Sequence, residues 1–281
     1  MKRAVACAIA LLACSCDRRE PQRSAPVTIR VAVIGGMVET GFWRELAGRY
    51  ELTTGNKVAI VASGPKQVVI DAFRKGDIDL ITMHSSDAMI DLVADGLAVD
   101  PQPWLENDMI IVGPSDDPAQ IKGERDAATA VAKLVAAKAP ILVDASLGAD
   151  GVLHDLADTA HVALDPAATV MFDGKNQHEL LSRAAALHAY TMVGRIPYLD
   201  GKLHADGIEI MVRGDRRLRR PFLVETAAGA PPAARDLEEF LRSPETQAWV
   251  GTFGVGRFDD QPLFFPIRPA AGSNHAAATT H

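Results

Sequence analysis

The fold of this chain is decided by the stretch Gly76-Asp-Ile-Asp-Leu-Ile-Thr-Met-His-Ser-Ser-Asp87. A polar turn leads into a segment in which four of six residues are apolar, and hydroxyl and acidic residues that can cap a helix follow. This pattern predicts a buried strand that ends in a polar loop. In open α/β sheets, ligands bind at such loops, beyond the carboxyl ends of the strands. Two similar strand-loop-helix units precede this one, and the later chain leaves for a second sheet and then returns. We therefore predict a two-lobed α/β ligand-binding protein with this strand in the middle of its first lobe.

The first residues have the features of a secretory signal. Lys2 and Arg3 precede an apolar run from 4 to 13, which is too short to cross a bilayer as a stable helix. Leu11-Leu12-Ala13-Cys14 resembles the bacterial lipoprotein signal, in which the chain is cut before a cysteine that then carries lipid. Cys14 is the predicted anchor, with Cys16 or an ordinary cleaved signal as the alternatives. All three cysteines fall in this segment, so nothing after residue 16 can form a disulfide or act as a thiolate nucleophile.

Composition divides the chain and excludes some functions. The predicted parts are a signal peptide (1–13), a lipid-anchored tether (14–26), lobe 1 (27–112 and 222–269), lobe 2 (113–221) and a disordered tail (270–281). The net charge of -7 argues against non-specific binding of nucleic acid, although it allows a small anion in a local pocket. We expect a monomer.

Two turns of the first lobe carry candidate ligand contacts. Gly35-Gly36 separates a predicted strand from a helix and could point backbone N–H groups at a ligand, although a tight turn explains the pair equally well. Ser63-Gly64 leads into a second helix that carries Lys66 in its first turn. The helix dipole disfavours a cation there unless an anion compensates. Ser63 and Lys66 are therefore candidate contacts, and a solvated lysine is the alternative.

Loops of the second lobe would face those of the first. Asp144 to Gly151 forms the polar exit of a short buried strand, and a ligand held between lobes needs such loops from both sides. The position of His84 just past a buried strand indicates a hydrogen-bonded structural imidazole rather than a metal ligand or a catalytic base. Residues 189 to 195 are predicted to run strand-like into Pro197-Tyr198-Leu199. The basic cluster from Arg213 to Arg220 is most simply a solvated hairpin turn, since no aromatic residues interleave it as in a nucleic-acid patch.

Several stretches occur along nearly the whole mature chain in the order that they have in one family. They are Thr54-Gly55, Gly76 through His84, Asn107 through Pro114 with Asp117-Pro118, Ala189 through Met192 with Arg195 and Tyr198-Leu199, Ser243 through Gln247, and Leu263-Phe264. On these stretches the chain resembles the substrate-binding component of tungstate ABC transporters and, more distantly, the type II periplasmic binding proteins for molybdate and other oxyanions. The resemblance implies two lobes, each a mixed sheet flanked by helices, with a ligand cleft between them. It also implies an oxyanion ligand and, as partners, a membrane permease with its ATPase.

The chain departs from the family pattern where that family contacts its oxyanion. The hydroxyl-rich first loop is replaced by Ile34-Gly35-Gly36-Met37, and an arginine expected before Asn107 has no counterpart in Asp100 to Pro103. The second-lobe loop, normally Ser-Arg-Gly-Asp followed by Ser-Gly-Thr, is Ser146-Leu147-Gly148-Ala149-Asp150-Gly151-Val152. Each lost charge-assisted contact is worth about 1.5 to 3 kcal/mol. Lys66 or Arg195 is a candidate to restore the charge.

The predicted ligand site takes residues from both lobes. The ligand contacts are Gly35, Gly36, Met37, Ser63, Gly64, Lys66, His84, Ser85, Ser146, Gly148, Asp150, Gly151, Tyr190 and Arg195. No nucleophile elbow, Walker loop, His-Glu-x-x-His or Cys-His metal spacing is present, so we expect a binding protein without cofactor or metal rather than an enzyme. The prediction is an extracytoplasmic solute-binding lipoprotein of an ABC importer for a small anion. The alternative is a diverged lipoprotein that acts as a sensor or interaction partner, and a periplasmic hydrolase is a third possibility.

Overall fold

The computed structural model describes residues 25–145, 148–174 and 176–267. In chain order the elements within these ranges are β1 (Thr28–Ile34), α1 (Gly35–Glu39), α2 (Phe42–Thr54), β2 (Lys57–Gly64), α3 (Lys66–Arg74), β3 (Leu80–His84), α4 (Asp87–Ala94), β4 (Ala98–Pro114), α5 (Ala127–Ala136), β5 (Ile141–Val143), α6 (Ala149–Thr159), β6 (Thr169–Met171), α7 (Gln177–Leu187), β7 (Tyr190–Gly194), α8 (Arg195–Leu199), β8 (Ile208–Val212), β9 (Arg219–Ala227), α9 (Pro232–Arg242), α10 (Pro244–Val250) and β10 (Phe265–Pro266). The predicted signal peptide, Cys14, Cys16 and the tail from 270 to 281 lie outside the described residues. Within the described part of the chain, no helix combines the length and the apolarity needed to cross a membrane.

The strands form one mixed sheet in the order β2-β1-β3-β9-β4-β7-β5-β6, with β8 and β10 also paired to β4. Strands β1, β2 and β3 run parallel, and β9 joins them antiparallel to β3. In the other half of the sheet, β5 runs parallel to both β6 and β7, and β4 runs antiparallel to β7. We call the half around β1 lobe 1 and the half around β5 lobe 2. This confirms the predicted α/β class, in which each half of the sheet is mixed, although the two halves form one continuous sheet. β3 lies in the middle of its half.

One strand passes through both lobes. β4 is 17 residues long, and its residues up to Asp108 pair with β9 whereas those from Met109 pair with β7 and β8. The change of partner therefore comes before Val112, after which the sequence analysis placed the lobe boundary. Pro101 and Pro103 near the start of β4 lack the N–H that a regular ladder needs. The structure accommodates these prolines with register shifts against β9.

Apolar side chains fill both faces of the lobe 1 sheet. On one face, Trp43 and Trp104 pack edge to face at 5.9 Å, and both are almost completely buried. The indole N–H of Trp104 donates to Thr82 Oγ1 at 2.7 Å, and this hydroxyl donates to the carbonyl of Leu223 at 2.9 Å. The central strand β3 is thereby tied to β9 by side-chain as well as backbone hydrogen bonds, and to β4 by a side-chain hydrogen bond.

Two local predictions are wrong. Arg195 was predicted to end a strand but begins the short helix α8 (Arg195–Leu199), because β7 ends at Gly194 and Pro197 lacks a ladder donor. The basic cluster is not a hairpin turn, since β8 and β9 do not pair with each other and both pair with β4. A 3₁₀ turn, Arg216–Leu218, connects the two strands instead.

Candidate functional site

We call the part of the sheet where the chain passes between the two lobes the crossing region. Three of its side chains lie beside the carboxyl end of β3. His84 lies opposite Phe222 in the β3–β9 ladder, and Asn107 lies opposite Arg220 in the β4–β9 ladder. Paired residues share one face of a sheet, as do residues two apart along a strand. His84, Asn107 and Arg220 therefore project from the same face, at the point where the chain passes between the lobes. We call these three residues the floor cluster.

The floor cluster combines a neutral imidazole with a cation. The His84 ring packs on Phe222 with 4.1 Å between ring centroids. Burial, assisted by the positive charges of Arg220 and Lys66 and opposed by the neighbouring Asn107 amide, lowers the pKa of His84 to about 3, so the ring is neutral at physiological pH. Burial also lowers the pKa of Arg220 to about 10, opposed by the negative charge of Asp108. Arg220 consequently keeps its charge at neutral pH.

Several polar atoms near the cluster are buried without a hydrogen-bond partner among the described residues. They are Nε2 of His84, Oδ1 of Asn107 and Oγ of Ser86. An unpaired buried polar group costs about 1 to 3 kcal/mol, so a polar ligand that pairs these atoms gains binding free energy. The two ends of an amide exchange places by a half-turn, so Asn107 can present either an acceptor or a donor.

The predicted glycine turn lies at the contact between the lobes. Gly35 begins helix α1 directly after β1, so no loop separates strand and helix. A Cβ placed on Gly36 would lie 3.5 Å from Ile196 of α8, and Lys202 pairs with Glu39. Met37 is only 1% exposed and belongs to the lobe 1 core. These contacts join α1 to α8 and to the segment that follows it, and the Met37 side chain is engaged in packing.

The second turn of lobe 1 lies at the rim of the same region. Ser63 is exposed at the end of β2, and Gly64 pairs with Ile34. Lys66 is exposed at the first position of α3, and its charge acts on His84. Ser85 is exposed and its backbone N–H donates to the carbonyl of Pro221 at 2.9 Å.

On the lobe 2 side, Ser146 lies outside the described residues. Gly148 adopts the left-handed conformation with φ of 71° and precedes α6. Asp150, in the first turn of α6, pairs with His154 at 3.3 Å, and Gly151 is exposed. The part of the chain that the structure describes contains no group of three or more His, Cys, Asp or Glu residues placed to hold a metal.

Two predicted contacts have side chains that are fully buried and engaged in structural bonds. The hydroxyl of Tyr190 donates to Asp117 Oδ1 at 2.8 Å and accepts from the N–H of Ala119 at 3.0 Å. Arg195 donates to Asp108 at 2.7 Å and to both carboxylate oxygens of Asp259. We therefore leave Tyr190 and Arg195 out of the site proposed below.

Replacing Tyr190 with phenylalanine should lower the free energy of unfolding by about 1 to 3 kcal/mol, because it leaves buried polar partners unpaired. Urea unfolding measures this change. Tyr198→Phe is the control, since its hydroxyl makes a longer bond of 3.4 Å to the carbonyl of Ile208 and should cost less. An unchanged stability combined with weaker ligand binding would instead place Tyr190 in the site.

This chain matches a known protein family over most of its length. The model of the bacterial extracellular solute-binding protein family matches residues 29–255. The chain belongs to this family. Members of the extracellular solute-binding protein family are binding proteins rather than enzymes, which confirms the predicted class and its extracytoplasmic setting.

Relatives of this solute-binding protein cover almost its full length. It is 26% identical over 275 residues to the tungstate-binding protein TupA of Peptoclostridium acidaminophilum, covering 92% of this chain and 94% of the relative. The structure is similar to that of TupA from Desulfovibrio alaskensis G20, with a TM-score of 0.67, 24% identity, and coverage of 87% of this chain and 100% of the other. It is also similar to the tungstate ABC transporter structure from Geobacter sulfurreducens, with a TM-score of 0.62, 24% identity, and coverage of 80% and 98%. These likenesses confirm the predicted family resemblance and the type II periplasmic binding protein fold.

The sequence analysis missed Arg220, Asn107 and Ser86. The available signal was the pair Arg219-Arg220 immediately before an apolar strand, which was assigned to a solvated turn. In the structure most of that cluster makes specific contacts. Arg213 pairs with Asp259 and Asp260, Arg217 pairs with Asp126 and Asp215, and the Arg219 guanidinium stacks 3.7 Å above the Phe265 ring.

Proposed function

We propose that this solute-binding protein captures a small oxyanion between its two lobes and delivers it to an ABC permease with its ATPase. The observation that supports this most directly is the floor cluster, in which charged Arg220 and neutral His84 lie together where the chain crosses between lobes. A guanidinium beside neutral donors suits an anion, and enclosure strengthens that attraction relative to water. The names of the relatives favour tungstate, or the similar oxyanion molybdate, as the ligand.

Binding would be coupled to closure of the lobes. In this proposal the ligand contacts come from polar positions at 35–40, 63–67 and 84–86 of lobe 1 and at 148–151 of lobe 2. A ligand shifts an open–closed equilibrium only through its higher affinity for one form. In this proposal the closed form gains contacts to both sets of positions, and the permease recognises that form.

We also propose that the mature protein is attached to the membrane through lipid on Cys14. The support is the sequence Leu11-Leu12-Ala13-Cys14, with Cys16 as the alternative anchor. The charged tether up to residue 26 would then hold the binding lobes away from the membrane surface.

Isothermal titration of the mature chain with tungstate, molybdate, sulfate and phosphate tests the function. We expect a 1:1 complex with tungstate or molybdate and weaker binding of sulfate and phosphate. Because the proposed site is enclosed, the affinity should change little between low and high salt. A ligand at 100 times its Kd should also stabilise the fold by about 2.7 kcal/mol, which thermal unfolding detects.

Absence of both heat and thermal stabilisation with all four anions would contradict the oxyanion proposal. The departures from the family loops would then favour the alternative function, a lipoprotein that acts as a sensor or interaction partner.

A further inference from the structure

We propose that Arg220 of β9 supplies the buried positive charge that holds the bound anion, with His84 beside it as an uncharged hydrogen-bond donor. This inference rests on the proposed function. It adds the residues that select the ligand and moves the cationic contact from the loops to the sheet.

The loops around the crossing region offer few cations. The segment from Asp144 to Gly151 contains none, and neither does the segment from Asp100 to Pro103. Lys66 is the cation that the lobe 1 turns provide, and its exposure to solvent screens its charge. A cationic contact to an enclosed anion must therefore come from elsewhere in the crossing region.

The two other arginines near this region do not share a sheet face with His84 and Asn107. Arg195 is fully buried and binds Asp108 and Asp259. Arg219 lies on the opposite face from Arg220 by strand alternation, where it stacks on Phe265 and pairs with Glu106 at 3.5 Å. Arg220 is the arginine on the face that also carries His84 and Asn107.

The position of Arg220 also suits recognition of an oxyanion. A planar guanidinium can donate two parallel hydrogen bonds to two oxygens of one anion. Arg220 is carried by β9, which is paired on both sides by β3 and β4, so its backbone is fixed more firmly than that of a loop residue. His84 Nε2 is buried and has no partner among the described residues, and a neutral imidazole with its proton on Nε2 can donate to a neighbouring anion oxygen.

The affinity for the anion should depend little on pH near neutrality, because the charges of the floor cluster do not change there. The pKa of His84 is lowered to about 3 by burial, and that of Arg220 is lowered only to about 10. Neither group changes its charge between pH 6 and pH 8.5. The affinity for an anion that itself does not titrate in this range, such as sulfate or tungstate, should therefore stay within about twofold over this interval.

The test compares Arg220→Gln with Arg216→Gln by titration with tungstate. Arg216 belongs to the same basic cluster but is exposed on the 3₁₀ turn, so it controls for the loss of a positive charge. We expect Arg220→Gln to weaken binding roughly 10- to 150-fold, the range for one charge-assisted hydrogen-bonded contact, and Arg216→Gln to change it less than twofold. His84→Phe, which keeps the ring packing on Phe222 but removes the donor, should weaken binding roughly 3- to 10-fold.

The outcomes separate this inference from the proposed function. If the unaltered chain binds none of the four oxyanions, the proposed function fails and the inference fails with it. If the unaltered chain binds tungstate and folded Arg220→Gln binds within twofold of it, the function stands and the inference is overturned. If circular dichroism shows that Arg220→Gln is unfolded, the affinities of His84→Phe and Lys66→Gln for tungstate are compared instead. A larger loss of affinity for Lys66→Gln than for His84→Phe would contradict the assignment of Arg220 and His84. An affinity that rises as the pH falls from 7.5 to 6 would show a charged His84 and would overturn its role as an uncharged donor.

Discussion

Replacing Arg195 with methionine should destabilise the protein by about 3 to 5 kcal/mol, the range found when one partner of a buried ion pair is removed. Both the Arg195 and the Asp108 side chains are 0% exposed, and Nε of Arg195 lies 2.7 Å from Asp108 Oδ1. Burial raises the pKa of Asp108, and the charges of Arg195 and Arg219 oppose that shift. Without Arg195, a buried carboxylate would lose the cation to which it is hydrogen-bonded.

The same guanidinium also connects separate parts of the chain. Arg195 follows β7 in lobe 2, Asp108 lies on β4 where its pairing changes, and Asp259 lies in the returning segment. Arg195 also donates to the main-chain carbonyl of Pro262. Methionine fills a similar length but donates no hydrogen bond, so all of these acceptors would lose their donor at once.

Urea unfolding measures the cost, and Arg213→Met is the matched control. Arg213 binds the same Asp259 at 3.0 Å, but its side chain is 37% exposed, so its loss should cost at most about 1 kcal/mol. Adding Asp108→Asn to Arg195→Met should recover part of the loss, because it removes the isolated charge. An equal loss in the free energy of unfolding for Arg195→Met and Arg213→Met would contradict a stabilising role of the buried Arg195–Asp108 ion pair.

Replacing Glu225 with methionine should stabilise the protein at neutral pH by about 3 kcal/mol. Glu225 is 0% exposed on β9, and both of its carboxyl oxygens are buried without a hydrogen-bond partner among the described residues. Its strand neighbours Leu223 and Ala227, which share its face, pack against an apolar cluster beneath α3 and α4. Burial raises the pKa of Glu225 from 4.5 to about 8, so the folded protein holds this carboxyl in its neutral form at pH 7.

The sign of the pH dependence follows from that shift. Below pH 4.5 the carboxyl is protonated in both the folded and the unfolded chain, and Glu225 imposes no ionisation penalty. As the pH rises from 4.5 to 8, only the unfolded chain ionises, so the stability falls by about 1.4 kcal/mol per pH unit. Above pH 8 both forms are ionised and this contribution becomes constant.

Urea unfolding of both proteins at pH 5, 7 and 9 tests this expectation. The stability gained by Glu225→Met should grow from pH 5 to pH 9, whereas Glu209→Met, at an exposed glutamate paired with Lys122, should show no such trend. A gain that is the same at all three pH values would show that packing rather than ionisation causes it. A loss of stability at pH 9 would contradict the argument.

The strands and helices of this protein were largely predictable because their signals are local. Such signals set the backbone conformation only of residues close to them in the sequence. Examples are the apolar run of β3, the glycine after α2, and the proline and serine residues before α9 and α10. Predictions failed where pairing over long distances overrides the local pattern. The proline-containing start of β4 is held as a strand by β9, and the segment after Gly194 turns into α8 because Arg195 binds Asp108 and Asp259.

The sequence by itself determined the α/β class, the central place of β3 and the family, since periodicity and motif order survive without knowledge of contacts. It also drew attention to His84 and Lys66, and in the structure the charge of Lys66 helps to lower the pKa of His84. Only the tertiary structure decided which arginine shares a sheet face with His84. Arg195 and Arg220 both lie beside strands in the sequence, but folding buries Arg195 between two carboxylates and sets Arg220 beside the neutral imidazole of His84. The physical reason is that the role of a charge depends on the partners and the burial that distant segments give it.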